Sequence, residues 1–377
     1  MVTPCYYPVK GGTEAIVWNL QAELNRIGIQ TDVMTFNMSH KWKPKWKGET
    51  EQINGGTVFR IPALNWLPIE HSARINMEIN LIPGRFTNIL KHYDIIHFHE
   101  LDFSFPLFSF FVKKPKLFHL HGINVDFHKN YRIPMNILRN IADYYISISR
   151  KMERDLMELG IPRNKIAYLP NSVDTQVFSP VGEKEENLLL FIGRISFIKG
   201  LHVLLESLRY IQRPVRLIIV GPIAESPQYY EDMLRLIAKE NRRGRHRLEY
   251  LGALEQKEVA ELCKKASIVI LPSLSEAFPV VVLEALACET PIVATPVGGI
   301  PEIVQNQKNG LLIPPNNSLK LAEAIEYLLS NKSARISMGK EGRKNVIENF
   351  SLQVVARKLC DFYRFVVTQK TEAPNTN

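Results

Sequence analysis

The run Leu188-Leu-Leu-Phe-Ile192 constrains the fold more than any other stretch: five apolar residues in a row, bounded by Asn187 and Gly193. A strand with one wet face alternates apolar and polar residues. An unbroken apolar run of strand length suits a strand covered on both faces, the situation of parallel sheets whose helical crossovers pack on either side. Further strands are expected at 215–221, 247–251, 267–271, 291–295 and 310–313. Amphipathic segments separate them, such as the one carrying Leu201, Leu204, Leu205, Leu208 and Ile211. The first half shows the same alternation, with strands expected at 31–36, 57–63, 93–99, 116–121, 144–149 and 165–170. Strands alternating with helices predict an α/β chain with parallel sheets and ligands beyond the carboxyl ends of the strands.

At 377 residues the chain is long enough for two domains with separate cores. Residues 180–187, polar and charged, read as the linker, giving domains at 1–179 and 180–350. Helices are expected at about 319–330, 333–349 and 352–367, and the tail 371–377 reads as disordered. Only Met1 to Thr3 precede Pro4, so the first strand is short; the expectation is a true start upstream of Met1.

The net charge of +9 favours phosphorylated ligands, anionic membranes or nucleic acid. The basic run Arg242, Arg243, Arg245, His246, Arg247 has no interleaved aromatic residue and reads as a solvated turn, so no nucleic-acid partner is expected. Residues 40–47 alternate differently: His40, then Lys41, Trp42, Lys43, Lys45, Trp46 and Lys47 around Pro44. A solvated loop is the plain reading; a peripheral contact with a membrane surface is the sharper one. Cys5, Cys263, Cys288 and Cys360 form no C-x-x-C pair and read as reduced packing residues of a cytoplasmic protein. No apolar run approaches a membrane span, and no signal peptide is evident.

Chemistry concentrates at 271–288. An apolar strand passes through a polar loop containing Glu276 and enters a helix at Pro279, where the amides of Val280 and Val281 have no intrahelical partner. Such a helix start suits an anion. Glu284 lies among apolar helical neighbours, where a carboxylate is costly unless hydrogen-bonded; sugar or ribose hydroxyls would serve, as would a structural Arg or Lys. Arg194, after the 188–192 strand, and Lys199, before the next helix, can converge on a diphosphate; two solvated cations are the plain alternative. Gly11-Gly12-Thr13-Glu14 precedes a helix over 15–28 and permits close approach of a ligand to backbone, as does Gly298-Gly299. His97 and His99 share one strand face, as do His119 and His121. A zinc site is one reading of these four, with Glu100 and Asp102 nearby; core or loop histidines are the other.

Glu276 and Glu284, seven residues between them, with flanking text from Pro272 to Glu302, resemble the E-x7-E region of the retaining glycosyltransferases of family four (group 1). Gly11–Glu14, His121-Gly122, Pro170-Asn-Ser-Val-Asp174 and Gly193-Arg194…Lys199-Gly200 resemble further segments of that family. The resemblance implies a GT-B fold: two Rossmann-like domains with parallel sheets facing a central cleft, the terminal helix packing back on the first. It implies transfer of a sugar from a UDP- or GDP-linked donor to an acceptor hydroxyl of a glycan, lipid-linked or small molecule, with retention.

His121, Arg194, Lys199 and Glu276 would then be catalytic. Gly12, Phe278, Val280, Val281, Glu284 and Gly298 would bind the donor, with no metal and no cofactor. Glu276 would hold hydroxyls of the donor sugar and Glu284 the ribose diol. Pro279 departs from members with glycine there, so the amide of Phe278 or Val280 must substitute. No D-x-D occurs in the chain, so metal-independent transfer is expected. Rival readings are a sugar-nucleotide epimerase, a phosphorylase, or a non-catalytic nucleotide-sugar-binding protein.

Overall fold

A computed structural model describes residues 1–8, 11–37, 48–65, 78–80, 83–100, 109, 112–122, 141–223 and 226–372. Contacts divide the chain into two compact units. The first comprises Met1–Pro170 and Leu352–Asn377; the second is Asn171–Ser351.

The first unit is built on an eight-stranded sheet. Its strands are β1 (Val2–Thr3), β2 (Val33–Phe36), β3 (Glu49–Ile53), β4 (Gly56–Ile61), β7 (Ile96–His99), β8 (Lys116–Leu120), β9 (Tyr144–Ser147) and β10 (Ile166–Tyr168). They run in the order β10-β9-β8-β7-β1-β2-β4-β3. A separate two-stranded antiparallel sheet pairs β5 (Ala63–Asn65) with β6 (Glu78–Asn80). In the large sheet every neighbouring pair is parallel except β3 with β4.

That antiparallel hairpin was not anticipated from the sequence. Its turn is Asn54-Gly55, both with positive φ (53° and 76°), the backbone that tight hairpins need and that Asn-Gly supplies. The order reverses between β1 and β7, a topological switch point of the kind at which open α/β sheets bind ligands. The helix Gly12–Arg26 follows β1 and packs against the terminal helix Leu352–Glu372, which runs past the 367 expected.

The second unit carries β11 (Leu188–Ile192), β12 (Arg216–Val220), β13 (Arg247–Tyr250), β14 (Ile268–Leu271), β15 (Ile292–Ala294) and β16 (Gly310–Leu312). All are parallel, in the order β13-β12-β11-β14-β15-β16. The apolar run Leu188–Ile192 lies at the centre of this sheet, with Leu188 to Phe191 at most 1% exposed. Leu189, Phe191, Leu217, Ile219, Ile268, Ile270 and Val293 join Leu201, Leu204, Leu205 and Leu208 of the following helical segment in one core. Burying each such side chain is worth about 1.5–3 kcal/mol.

Two local readings are corrected. Residues 180–187 are no linker. Lys184 Nζ bonds the Cys288 carbonyl (2.7 Å) and Thr290 Oγ1 (2.5 Å), and the Glu185 amide bonds the Lys265 carbonyl (2.7 Å). An ammonium with several oxygen partners can be taken out of water at tolerable cost, so the charged stretch is fastened to its own unit. The first unit therefore ends at Pro170 rather than at residue 179: Val173 bridges to Ser351, and Asn171 Nδ2 donates to the Phe278 carbonyl at 2.9 Å, both inside the second unit. Residues 40–47 and 373–377 lie outside the described residues. No helix among the described residues is long and apolar enough to cross a membrane. The four cysteines are buried and take part in no disulfide.

Candidate active site

In the second sheet the order reverses between β11 and β14, and the loops leaving these neighbouring strands meet. The β11 loop carries Gly193 and Arg194, a single 3-10 turn at Phe197–Lys199, and Gly200. The β14 loop runs from Pro272 to Pro279. The Leu274 amide donates to the Ile198 carbonyl at 2.7 Å, tying one loop to the other. Gly200 has φ +70° and backs onto Pro272, whose carbonyl oxygen would lie 2.1 Å from any Cβ there. Glycine is required on both counts.

The tie brings Lys199 to Glu276. Lys199 Nζ lies 2.6 Å from Oε1 and 2.7 Å from Oε2 of Glu276, and Ser273 Oγ donates to Oε1 at 2.8 Å. The carboxylate side chain is 6% exposed and the lysine 16%. Thr295 Oγ1, buried after β15, donates to the Ser273 carbonyl at 2.5 Å and fixes that turn. Gly298, φ +59°, closes the arrangement: a Cβ would stand 1.9 Å from the Glu276 carbonyl oxygen. Gly193 approaches the Lys199 stem, and Arg194 stands exposed beside it.

The helix Val280–Ala287 starts three residues beyond Glu276's loop neighbour Ala277. Pro279 has extended backbone (φ −75°, ψ 119°) and flanks the helix rather than opening it, a correction of one position. The Val282 amide reaches the Pro279 carbonyl at 3.2 Å, and the amides of Val280 and Val281 come before any intrahelical acceptor. The Phe278 ring is 3% exposed and packs toward Phe350, ring centroids 5.8 Å apart. The Phe278 residue is thus held from both ends, its ring by the core and its carbonyl by Asn171. Glu284 is half-buried on the same helix, among buried Val282, Leu283, Ala285 and Leu286. Burial pushes its carboxyl up to about 7.

In the first unit, Gly12 opens its helix after Gly11, and Thr13 Oγ1 donates to Glu100 Oε1 at 2.8 Å, spanning the β1/β7 switch point. Glu100 sits at φ +74°, and burial raises its carboxyl to about 7. It was noted in the sequence only as a neighbour of the histidines. The signal that marks it is its position, an acidic residue directly after a buried strand at the switch point. His121 follows β8, and its Nε2 lies 3.0 Å from His99 Nδ1.

Of the residues expected to serve the donor, Lys199, Glu276, Gly298, Phe278, Val280, Val281 and Glu284 fall in one loop-and-helix assembly, with Arg194 at its edge. Gly12 and His121 belong to the other unit. Ser273 and Asn171, which position this assembly, were not singled out for those contacts. Sequence spacing cannot show which carbonyl or carboxylate a loop side chain will reach.

Comparison with known proteins fits this geometry. The model of the family described as Glycosyl transferases group 1 matches residues 173–345, and that of Glycosyltransferase Family 4 matches residues 10–177. An uncharacterized glycosyltransferase of Methanocaldococcus jannaschii is 30% identical, over 90% of each chain. Among solved structures, Anabaena HepE in complex with UDP and glucose superposes with TM-score 0.77 at 18% identity, over 97% of this chain and 99% of that one. Sucrose-phosphate synthase from Thermosynechococcus elongatus gives 0.76 at 21%, over 98% and 99%. The chain belongs to the group 1, family four glycosyltransferases and has their GT-B fold.

Proposed function

We propose that this glycosyltransferase moves a sugar from a UDP- or GDP-linked donor to an acceptor hydroxyl of a glycan, lipid-linked or small molecule, with retention of anomeric configuration and without a metal at the leaving group. The observation that carries the reading is the Lys199–Glu276 pair, set in the loop just ahead of the Val280 helix start. An ammonium has three N–H donors, and Glu276 takes two, so one remains to be offered to a diphosphate oxygen. Arg194 and the amides of Val280 and Val281 would add fixed positive charge. Each such preorganised donor is worth about 3–4 kcal/mol at a developing oxyanion.

In the step itself the bond from anomeric carbon to diphosphate oxygen breaks, and its electron pair leaves with the nucleotide. The acceptor oxygen bonds to the same carbon on the face just vacated, and its proton passes to the departing phosphate. Glu276 would accept hydrogen bonds from hydroxyls of the donor sugar, and Glu284 from the ribose diol, replacing the solvation that burial denies it. His121 and Gly12 would act from the first unit, and Gly298 and Phe278 would shape the sugar end. A lipid-linked acceptor would be served by a membrane contact at residues 40–47.

A panel of UDP- and GDP-sugars screened by thermal shift tests the reading, since a bound donor must raise stability. The expected result is one donor class that raises the melting temperature and, with acceptor, releases nucleotide. Product anomeric configuration follows by NMR. Turnover in dialysed protein should be indifferent to added Mg²⁺ or Mn²⁺. A panel in which no nucleotide sugar binds would sink the proposal, and an inverted product would sink its stereochemistry.

A further inference from the structure

The carboxyl ends of β7 and β8 hold a second group of side chains with no part in the donor chemistry above. The two strands are parallel neighbours, in a register that pairs His97 with Leu117 and His99 with His119. Alternation along a strand puts His97 and His99 on one face, and the register sets His119 beside them on that face. All three are 1–2% exposed. One nitrogen from each can be chosen so that all three lie within 4.8 Å of one another. The rings of His97 and His99 stack with centroids 4.3 Å apart, and His119 lies 5.0 Å from His99 and 5.4 Å from His97.

The hydrogen bonding of this group is incomplete in a directed way. His97 Nδ1 meets the Tyr363 hydroxyl at 2.6 Å, and His99 Nδ1 meets His121 Nε2 at 3.0 Å. The opposite nitrogens, His97 Nε2 and His99 Nε2, have no partner among the described residues, nor does either nitrogen of His119. A buried polar atom left unsatisfied costs about 1–3 kcal/mol, and four occur here within one cluster. Apolar side chains would fill the same space without that cost. A neutral imidazole carries one ring nitrogen with a lone pair free to bind a metal ion. A ring held at one nitrogen by a neighbour and open at the other is the arrangement of a metal-ligating histidine, whose second nitrogen is fixed by an outer partner.

We propose that His97, His99 and His119 hold a first-row transition metal ion, with Zn²⁺ the best match to an all-imidazole set. Nitrogen-only donors select Zn²⁺, Co²⁺, Ni²⁺ or Cu²⁺ over Mg²⁺ and Ca²⁺, which take oxygen. Zn–N bonds of about 2.0–2.1 Å place tetrahedral ligand nitrogens roughly 3.3 Å apart, so the stacked rings must tilt inward when the ion enters. A fourth position stays open, near the half-buried His121, whose ring lies 4.4 Å from that of His119. The ion serves the first unit, joining β7 to β8 and, through Tyr363, to the terminal helix; it lies outside the donor-binding loops of the second unit.

The test uses the full chain stripped of metal by chelation and dialysed. Titration with Zn²⁺ is expected to bind one equivalent and raise the melting temperature, and Co²⁺ to give the visible absorption of a tetrahedral site; Mg²⁺ should do neither. X-ray absorption on the zinc-loaded wild type should show three imidazole nitrogens at about 2.0 Å. His119→Leu should abolish the equivalent while leaving the metal-free melting temperature unchanged or higher, because it removes two unsatisfied atoms and keeps the volume. Failure of the wild type to take up one equivalent of Zn²⁺ or Co²⁺ overturns the proposal. So does an equivalent that persists in His119→Leu. Should that variant misfold, the wild-type absorption data decide alone. Nucleotide-sugar binding is read separately, so neither result stands in for the other.

Discussion

Lys199 Nζ makes contacts of 2.6 and 2.7 Å with the two oxygens of a single carboxylate, that of Glu276, in a setting where both side chains are largely shielded from water. Each therefore depends on the other before any substrate arrives. Removing one partner of a buried pair leaves the other charge stranded, which costs about 3–5 kcal/mol. Lys199→Ala is expected to lower both stability and turnover, the latter by roughly a hundred- to a thousand-fold. A double-mutant cycle with Glu276→Ala, read by denaturant unfolding, should show strong coupling. Additive losses would mean that the pair is not maintained in solution.

Glu284 gives a pH signature. Its carboxyl is raised to about 7 by burial, above the ordinary value. The folded protein therefore holds a proton that the unfolded chain has lost between pH about 4.5 and 7, and stability falls as pH rises through that window. The loss is on the order of 3 kcal/mol when the carboxylate is fully ionised. Glu284→Gln should flatten this slope and raise the melting temperature of the ligand-free protein at about pH 8. If the ribose diol donates to the ionised form, donor affinity in the wild type rises through pH 7 and that rise vanishes in the variant. Isothermal titration at several pH values checks it.

Lys184 is held by the Cys288 carbonyl and Thr290 Oγ1, and burial lowers its ammonium to about 8. Lys184→Met keeps the stem and deletes the charge. A loss of about 2 kcal/mol is expected from unmade bonds to a charged donor, measured by urea unfolding, with donor affinity unchanged. A neutral outcome would return residues 180–187 to the status of a loose connector.

At Gly298 the backbone has φ +59° and no room for a methyl group. Gly298→Ala should cost about 1–3 kcal/mol for the backbone conformation alone, and more as the Glu276 carbonyl is displaced. The readout is a fall in melting temperature together with a raised KM for the donor. A variant as stable as the wild type would show that the loop accommodates the change.

Much of this was legible because burial on both faces leaves a plain mark. The run Leu188–Ile192 is β11 to the residue, and β14, β15 and β16 lie within the spans read for them. What escaped were features set by a single turn or contact. The β3–β4 hairpin carries polar residues without apolar alternation, so only Asn54-Gly55 could have announced it. Residues 180–187 read as a linker because composition cannot show that Lys184 finds two oxygens more than 100 residues away. The Lys199–Glu276 contact was invisible for the same reason. The sequence sets Lys199 just before a helix and Glu276 in the loop ahead of another, but only the pairing of β11 beside β14 makes them neighbours.

Strand β3 closes one side of the first sheet, and Glu49 to Gln52 stand exposed there. An outermost strand offers unpaired backbone groups to any passing chain and is the usual starting point of fibrous growth. Here that border bears Glu49 and Glu51, the latter in an ion pair with Arg60 of β4. Two molecules meeting border to border would press like charges together. The same hairpin that the sequence concealed thus acts as a guard rail, keeping a large open sheet from recruiting its own copies.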